Sequence, residues 1–248
     1  MRARADPMTA RVERIADTVR RPMRPWSPSV HDLLRHLEAV GFPAPRLLGV
    51  DGDCEVLTWI DGESGADGWR MVVPEHGLAR WGRFLREYHD AVADYVPARG
   101  TAWSSGTRPI APGEIVCHGD FGPWNAVWRD GEVAALLDWD HARLAAPLFD
   151  IAYALEYAVP FRDDEECVHR LAYAAPPDRR RRIEVFCDAY GTAVPDDVVG
   201  CVARQQQETL ATFEALALRG LEPQASCMRD GGFEGIRARI RWTESLAL

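Results

Sequence analysis

Lysine is absent from this chain of 248 residues, and all 29 of its basic side chains are arginines. A fixed cation that binds phosphate must therefore be an arginine, whose planar guanidinium group differs in geometry from the ammonium group of lysine. Glycine is missing from the N-terminal part, because the earliest one in the sequence is Gly41. A glycine-rich loop that covers nucleotide phosphates is thus excluded before that residue.

Cysteine pairs with the spacing of metal ligands are also lacking. The absence of any Cys-x-x-Cys pair argues against a zinc site and a disulfide framework, and it favours reduced thiols in the cytoplasm. The six cysteines are Cys54, Cys117, Cys167, Cys187, Cys201 and Cys227. Long apolar runs are absent too, since the best one, Leu148 to Phe161, is interrupted by Asp150 and Glu156. It is too short to cross a bilayer, and we expect no membrane partner.

The charge balance disfavours a nucleic-acid partner. The formal net charge is −9, whereas proteins that bind nucleic acids usually present a basic surface. With 47% hydrophobic residues and nine tryptophans, the chain can bury a substantial core and is typical of a globular protein. Its length suits a small lobe joined to a larger one.

The hydrophobic periodicity predicts an α+β protein. Short strands and one helix, Val30 to Val40, alternate up to residue 61, which predicts a β-rich N-terminal lobe over residues 1–61. Residues 62–248 are predicted to form a larger and mostly helical lobe. Its first helix, Glu75 to Tyr95, carries an apolar stripe of Leu78, Trp81, Leu85, Tyr88 and Val92.

Turn-forming residues predict where these elements end. Pro22, Pro25 and Pro28 are expected to break any regular element, and residues 97–113, rich in Gly, Pro, Ser and Thr, are expected to form a loop. The pair Asp130-Gly131 indicates a hairpin between two short strands, at about residues 126–128 and 133–137.

One segment carries the residue types that phosphoryl transfer requires. Asp120 and Asn125 are five residues apart in one loop, and Asp138 follows the predicted hairpin. The reaction needs a carboxylate that orients the acceptor hydroxyl and accepts its proton, a role that fits Asp120. Asn125 and Asp138 would offer the hard oxygen ligands that Mg²⁺ prefers. Taken singly, each residue would more often be a turn former or a cap.

The order His118-Gly119-Asp120, then Asn125, then Asp138-Trp139-Asp140 resembles the signature shared by aminoglycoside phosphotransferases and choline/ethanolamine kinases. Weaker similarity covers residues 11–190, through residues 43–49, 85–90 and 149–152. The resemblance implies a bilobal protein-kinase-like fold with a shortened N-terminal β lobe and a mostly helical C-terminal lobe. It also implies ATP and Mg²⁺ as cofactors, and a small acceptor such as an aminoglycoside or an amino alcohol.

The resemblance further implies roles for individual residues of this segment. Asp120 would be the catalytic base, and Asn125 and Asp138 would be the Mg²⁺ ligands. His118 would support the loop, and Asp150 would accept hydrogen bonds from its backbone.

Nucleotide contacts are expected in the N-terminal lobe. Backbone groups near Thr58, Trp59 and Ile60 would meet adenine. The family strand that normally carries an ATP-binding lysine resembles residues 17–22, where only Arg20 or Arg21 can act.

The glutamate that usually accompanies that lysine has no counterpart at its expected place. The position falls near Val30, and Asp32 is a possible substitute. Three explanations remain open: an active kinase that relies on metal and arginine, a start-trimmed form of a longer chain, or a nucleotide-binding pseudokinase.

Asp140 has three open interpretations, as a carboxylate just beyond the metal ligands, an extra ligand, or an exposed residue. A metal hydrolase is an alternative reading of the same segment, and it would use His118, Asp120, Asp138 and Asp140.

Two features favour a small-molecule acceptor over a protein. Gly119 occupies the place where regulated protein kinases keep an arginine. Only eleven residues, Trp139 to Phe149, separate Asp138 from Asp150, which is too few for a peptide-docking platform. The acidic turn of residues 163–166 could face a cationic acceptor, although a solvated turn is the simpler interpretation.

Overall fold

The computed structural model describes residues 12–248, so residues 1–11 of the predicted N-terminal lobe lie outside the described part. The N-terminal elements are β1 (Glu13–Ile15), β2 (Thr18–Pro22), α1 (Ser27–Val40), β3 (Leu47–Asp51) and β4 (Cys54–Thr58). The four strands form one antiparallel sheet in the order β1–β2–β4–β3. This sheet with one helix is the small β lobe that the sequence predicts.

Helix α1 begins three residues earlier than the periodicity predicts, at Ser27 rather than Val30. Pro28 lies in its first turn, where a missing backbone N–H removes no helical hydrogen bond. The prediction that the prolines exclude regular structure was therefore wrong for Pro28, and also for Pro22, which ends β2. Val40, predicted to be part of the apolar face, is 52% exposed because the helix ends there.

The remainder of the described chain is mostly helical, with short strands around residues 102–145. Its helices are α2 (Gly68–Val72), α3 (Glu75–Val92), α4 (Leu148–Ala158), α5 (Asp164–Arg170), α6 (Arg179–Tyr190), α7 (Val198–Leu218), α8 (Gln224–Arg229) and α9 (Phe233–Glu244). Its strands are β5 (Ala102–Trp103), β6 (Gly106–Thr107), β7 (Ile115–Cys117), β8 (Ala126–Arg129), β9 (Glu132–Leu136) and β10 (Arg143–Ala145). The hairpin β5–β6 lies within residues 97–113, which were predicted to form a loop.

Helix α3 forms the centre of the hydrophobic core. The five residues of its predicted apolar stripe are fully buried, at 0% exposure: Leu78, Trp81, Leu85, Tyr88 and Val92. The ring of Trp81 stacks on that of Phe121 with centroids 3.9 Å apart. Helix α3 thereby contacts the loop that follows β7 and holds it against the hydrophobic core.

Two strand pairs bring the ends of the functional segment together. The predicted hairpin is confirmed as β8–β9, and both turn residues, Asp130 and Gly131, have the positive φ angles of a tight hairpin turn. Strand β7 pairs antiparallel with β10, so that Cys117 lies opposite Arg143. The loop after β7, the hairpin and the start of α4 consequently meet at one point. No helix within residues 12–248 has both the length and the apolar character to span a membrane.

Candidate active site

Asp150, at the start of α4, holds the loop that follows β7. Its two carboxylate oxygens accept hydrogen bonds from the backbone N–H groups of His118, at 2.7 Å, and Gly119, at 2.9 Å. The carboxylate is completely buried, and His89 of α3 lies 3.3 Å away. Burial would raise the pKa of Asp150, but the hydrogen bond and charge of His89 and the loop amides outweigh it and lower the pKa. No sequence pattern predicts this contact of His89, because it joins residues 61 positions apart in the chain.

We expect Asp150→Asn to lower the free energy of unfolding by about 1–3 kcal/mol, because an amide N–H₂ would face a buried N–H donor. Because folding lowers the pKa of Asp150, its carboxylate contributes fully to stability at pH values above its ordinary pKa of 3.8. This contribution to stability is lost as the pH falls through the lower pKa of the folded state. The variant should therefore show a flatter loss of stability in acid. Urea unfolding from pH 7 to pH 3 measures both effects, with the exposed Asp188→Asn as the matched control. Equal acid profiles for Asp150→Asn and wild type would contradict this role.

Gly119 is required by the backbone of this loop. Its φ angle is +79°, and a Cβ atom there would lie 2.0 Å from the carbonyl oxygen of His141. Any side chain at this position would therefore displace the segment that carries Asp138 and Asp140. The absence of an arginine at this place thus has a steric reason within this fold.

His118 is a structural member of the loop. Its Nδ1 accepts a hydrogen bond from the Asp120 amide at 3.2 Å, and its Nε2 donates to the Leu137 carbonyl at 2.9 Å. Burial lowers the pKa of His118, which favours the neutral ring that these two bonds require. Because both ring nitrogens are engaged, the geometry disfavours the metal-hydrolase alternative, which needs His118 as a ligand.

Asp120 lies at the centre of the site, and both of its carboxylate oxygens accept hydrogen bonds. Oδ2 accepts from Nδ2 of Asn125 at 2.8 Å, and the same amide group donates to the Asp120 carbonyl at 2.9 Å. Oδ1 accepts from the hydroxyl of Tyr153. Burial raises the pKa of Asp120, while the Tyr153 hydroxyl acts in the opposite direction. The carboxylate is thereby fixed in orientation.

Tyr153 is not among the site residues predicted from the sequence, although its spacing from Asp150 could have indicated it. Tyr153 follows Asp150 by three residues on α4, a spacing that places two side chains on one face of a helix. A helix face that carries the loop-binding Asp150 therefore also directs Tyr153 toward the loop.

Tyr153→Phe should lower kcat about tenfold, since a hydrogen bond to a charged group is worth about 1.5–3 kcal/mol and part of this orients Asp120. The KM values for nucleotide and acceptor should change little, because the ring is retained. Steady-state kinetics and thermal unfolding of the variant measure this separation. An unchanged kcat would show that Tyr153 only fills space.

Asn125 and Asp138 are neighbours across the hairpin. The Leu137 amide donates to the Asn125 carbonyl at 2.6 Å, which fixes the residue before Asp138 beside Asn125. Asp138 has left-handed backbone angles, φ 58° and ψ 76°, and its side chain lines the central cavity together with Asn125. The amide nitrogen of Asn125 is bound to Asp120, so its oxygen is the atom that can serve as a ligand. Two hard oxygen donors at one place fit a magnesium ion.

Arg21 enters the site from the N-terminal sheet. Its guanidinium group forms an ion pair with Glu55, and lies 2.9 Å from Asp140 and 3.3 Å from Asp138. Burial would lower the pKa of Arg21, but the three carboxylates raise it, so the cation is fixed. Asp140 contacts both Arg21 and Arg24, at 2.9 Å and 3.5 Å, and is therefore not an exposed residue.

The two arginines of β2 point to opposite faces, as consecutive strand residues do. Arg20 pairs with Asp51 at 3.0 Å, and the residues that line the central cavity include Arg21 but not Arg20. Of the two candidates, the structure brings only Arg21 to Asp138 and Asp140.

The glutamate partner of this cation comes from a strand rather than from a helix. Glu55 of β4 lies directly opposite Arg21 of β2 in the sheet register, and it is 1% exposed. His31 of α1 supports it from behind, with Nε2 2.5 Å from Oε2 of Glu55. Asp32, the substitute suggested by sequence, instead pairs with Arg35 at the surface. That suggestion was therefore wrong, because the strand register provides the partner that the helix lacks.

The predicted adenine contacts lie at the end of β4. The amides of Thr58 and Trp59 already donate to the carbonyl groups of Arg46 and Asp17, at 3.0 Å and 2.8 Å. The Trp59 indole N–H donates to Asp61 at 2.6 Å. The residues that line the central cavity do not include Thr58, Trp59 or Ile60. Adenine binding at these residues therefore stays a prediction, and the position of the cavity does not support it.

A cavity of about 490 Å³ lies where the two lobes meet. Its lining includes five charged residues, Arg21, Arg24, Asp120, Asp138 and Asp140. Apolar and aromatic side chains, most of them from the C-terminal lobe, form much of the remainder. The volume is in the range of small-molecule sites.

This combination of a small sheet, a helical lobe and an Asp-Asn-Asp cluster between them defines a kinase-like phosphotransferase. The model of the phosphotransferase enzyme family matches residues 19–109 and 97–185, and the chain belongs to this family.

Comparison with individual proteins agrees with this assignment. The chain is 33% identical to the trifolitoxin immunity protein of Rhizobium leguminosarum bv. trifolii over 187 residues. This aligned region covers 73% of this chain and 70% of that protein. A candidate aminoglycoside phosphotransferase from Ralstonia eutropha has a TM-score of 0.57 at 13% identity, over 99% of this chain and 95% of that one. A choline/ethanolamine kinase family protein from Mesorhizobium loti has a TM-score of 0.52 at 18% identity, over 96% and 90%. The two structures confirm the bilobal kinase-like fold.

Proposed function

We propose that this chain transfers the γ-phosphoryl group of ATP to a hydroxyl group of a small molecule. The observation that supports this most strongly is that Asp120, Asn125 and Asp138 line one cavity between the lobes. The family membership supports the reaction class, and the cavity supports a small acceptor. Because the reaction consumes ATP, we place the protein in the cytoplasm.

In the proposed reaction the acceptor hydroxyl binds at Asp120. The oxygen of the acceptor forms a bond to the γ-phosphorus, the bond from that phosphorus to the β,γ-bridging oxygen breaks, and ADP leaves with this oxygen. The hydroxyl proton passes to the carboxylate of Asp120, which Tyr153 and Asn125 hold in place. Arg21 faces the negative charge of the phosphates from the N-terminal sheet. Asn125 and Asp138 would hold Mg²⁺, which neutralises phosphate charge when bound.

Binding of Mg·ATP is the first step to test, and calorimetry on the purified chain measures it. We expect wild type and the exposed control Asp188→Asn to bind with equal affinity, and Asp138→Asn to lose at least tenfold in affinity. Repeating the titration with EDTA separates metal-dependent from metal-independent binding. If wild type binds no nucleotide in the presence of magnesium, the kinase proposal fails.

A second candidate function is toxin immunity, and one observation favours it. A protein that is 33% identical over most of this chain is a trifolitoxin immunity protein. Immunity would arise either from phosphorylation of the toxin or from binding of the toxin without catalysis. The second possibility corresponds to the pseudokinase alternative.

Expression in trifolitoxin-sensitive cells separates these possibilities. Protection by wild type but not by Asp120→Asn indicates immunity through phosphorylation. Equal protection by both indicates binding without catalysis. Sensitivity of both, at matched protein levels, indicates that the chain acts on a different molecule.

A further inference from the structure

We infer that the acceptor is a hydroxyl compound with a flat, uncharged apolar body rather than a polycation such as an aminoglycoside. This inference rests on the proposed kinase function and names the substrate class of the same site. It is carried by the aromatic side chains that line the cavity beside Asp120.

Aromatic side chains that line the cavity begin at Tyr153, whose hydroxyl donates to Asp120. Tyr153 and Tyr157 of α4 have ring centroids 5.0 Å apart, and Trp124 meets Tyr157 edge-on at 4.6 Å. Trp124 and Tyr157 are partly exposed, so ring surface remains accessible to a ligand. The lining of the same cavity also includes Phe213, Phe233 and Ile236. Such walls favour an apolar or aromatic group that is buried between them.

Three carboxylates line the cavity, and each already has partners. Asp120 accepts hydrogen bonds from Tyr153 and Asn125, and Asp138 and Asp140 pair with Arg21. No other acidic residue of the described chain lines this cavity. A molecule with several ammonium groups would therefore find no unpaired carboxylate there, and burying its charges would be costly.

Acidic residues of α4 and of the turn after it are engaged in other contacts. Glu156 of α4 is 3% exposed and lies 3.6 Å from Arg239. In the acidic turn, Asp163 caps α5 and Asp164 pairs with Arg179 at 2.8 Å. The turn that could have faced a cationic acceptor is thus engaged in local contacts, and its residues do not line the cavity.

Cations also contribute to this part of the molecule. The guanidinium group of Arg162 lies 4.8 Å from the ring centroid of Tyr157, so one face of this ring already has a cation. Arg24, which pairs with Asp140 at 3.5 Å, is a second cation in the cavity lining. Both groups disfavour a positively charged acceptor, and neither opposes a neutral one.

Three hydroxyl probes distinguish the substrate classes: 2-(2-naphthyl)ethanol, which is neutral and aromatic, choline, which carries one charge, and kanamycin, a polycation. We would measure binding by calorimetry with a non-hydrolysable ATP analogue and Mg²⁺, and phosphorylation by mass spectrometry with ATP. We expect the naphthyl probe to bind at least tenfold more tightly than the other two. Tyr157→Leu, which keeps apolar volume and removes the ring, should weaken its binding at least tenfold.

A charge-introducing variant tests the inference from the opposite direction. Ile236 is partly exposed on α9, so Ile236→Glu should fold, with its melting temperature as the check. It should improve kanamycin binding and weaken binding of the naphthyl probe.

The outcomes separate the two proposals. Tighter binding of kanamycin to wild type, or failure of the naphthyl probe to bind, overturns the substrate class. Binding of the naphthyl probe that depends on Tyr157 but leads to no phosphorylation retains the substrate class and rejects the kinase function.

Discussion

Asp120→Asn should lower kcat by about 10²–10⁴-fold, the usual contribution of a positioned general base. The substitution keeps the shape of the side chain and removes the carboxylate that accepts the hydroxyl proton. Affinity for Mg·ATP should change less than threefold, because the contacts of Asp120 are to Tyr153 and Asn125 rather than to Arg21. Single-turnover transfer of labelled phosphate to the acceptor measures the first effect, and calorimetry measures the second.

The control for this experiment is Asp188→Asn, the same chemical change on the exposed face of α6. It should leave both kcat and affinity unchanged. A kcat for Asp120→Asn within tenfold of wild type would mean that another group, or none, accepts the proton. The metal ligands would then have to provide most of the catalysis.

The functional segment could be predicted from the sequence because its parts are close together in the chain. Asp120, Asn125 and Asp138 lie within nineteen positions, and a two-residue turn with positive φ angles joins the strands between them. Local turn chemistry and residue spacing therefore determined most of their arrangement. The stripe of α3 was predictable for a similar reason, since helical periodicity alone defines a buried face.

The supporting contacts could not be predicted, because they depend on how distant elements pack. Glu55 meets Arg21 only through the register of β2 against β4, and a shift of one residue would have placed Val56 there instead. His89 reaches Asp150 because α3 packs beneath the loop, a contact between residues 61 positions apart. Tyr153 differs, since its helical spacing from Asp150 was available in the sequence and was overlooked.

The missing lysine is compatible with the proposed kinase function, because an arginine provides a cation at the site. Arg21 places a cation at the edge of the site and pairs with Glu55, which also contacts His31. Under the proposed function, Glu55 would take the place of the helix-borne glutamate that the resemblance implies. A guanidinium group can contact several carboxylates at once, as Arg21 does here. The arrangement is an alternative solution to the requirement for a fixed positive charge.

Arg21→Met should lower the free energy of unfolding by about 3–5 kcal/mol, the cost of leaving one member of a buried ion pair without its partner. Glu55 is 1% exposed and would lose the cation that compensates its charge. The double variant Arg21→Met with Glu55→Leu should recover much of this loss, since no uncompensated charge remains in the sheet. Urea unfolding of the four proteins in this cycle gives the coupling energy between the two residues.

Nucleotide binding should respond differently from stability, and this difference identifies the function of Arg21. The double variant should be stable and yet bind Mg·ATP at least tenfold more weakly than wild type, because the cation that faces the phosphates is absent. Arg20→Met is the matched control, since Arg20 pairs with the exposed Asp51 on the other face of the same strand. It should cost less than about 1 kcal/mol and leave affinity unchanged. If Arg21→Met proves as mild as Arg20→Met in both measurements, the buried Arg21–Glu55 pair supports neither the fold nor the nucleotide.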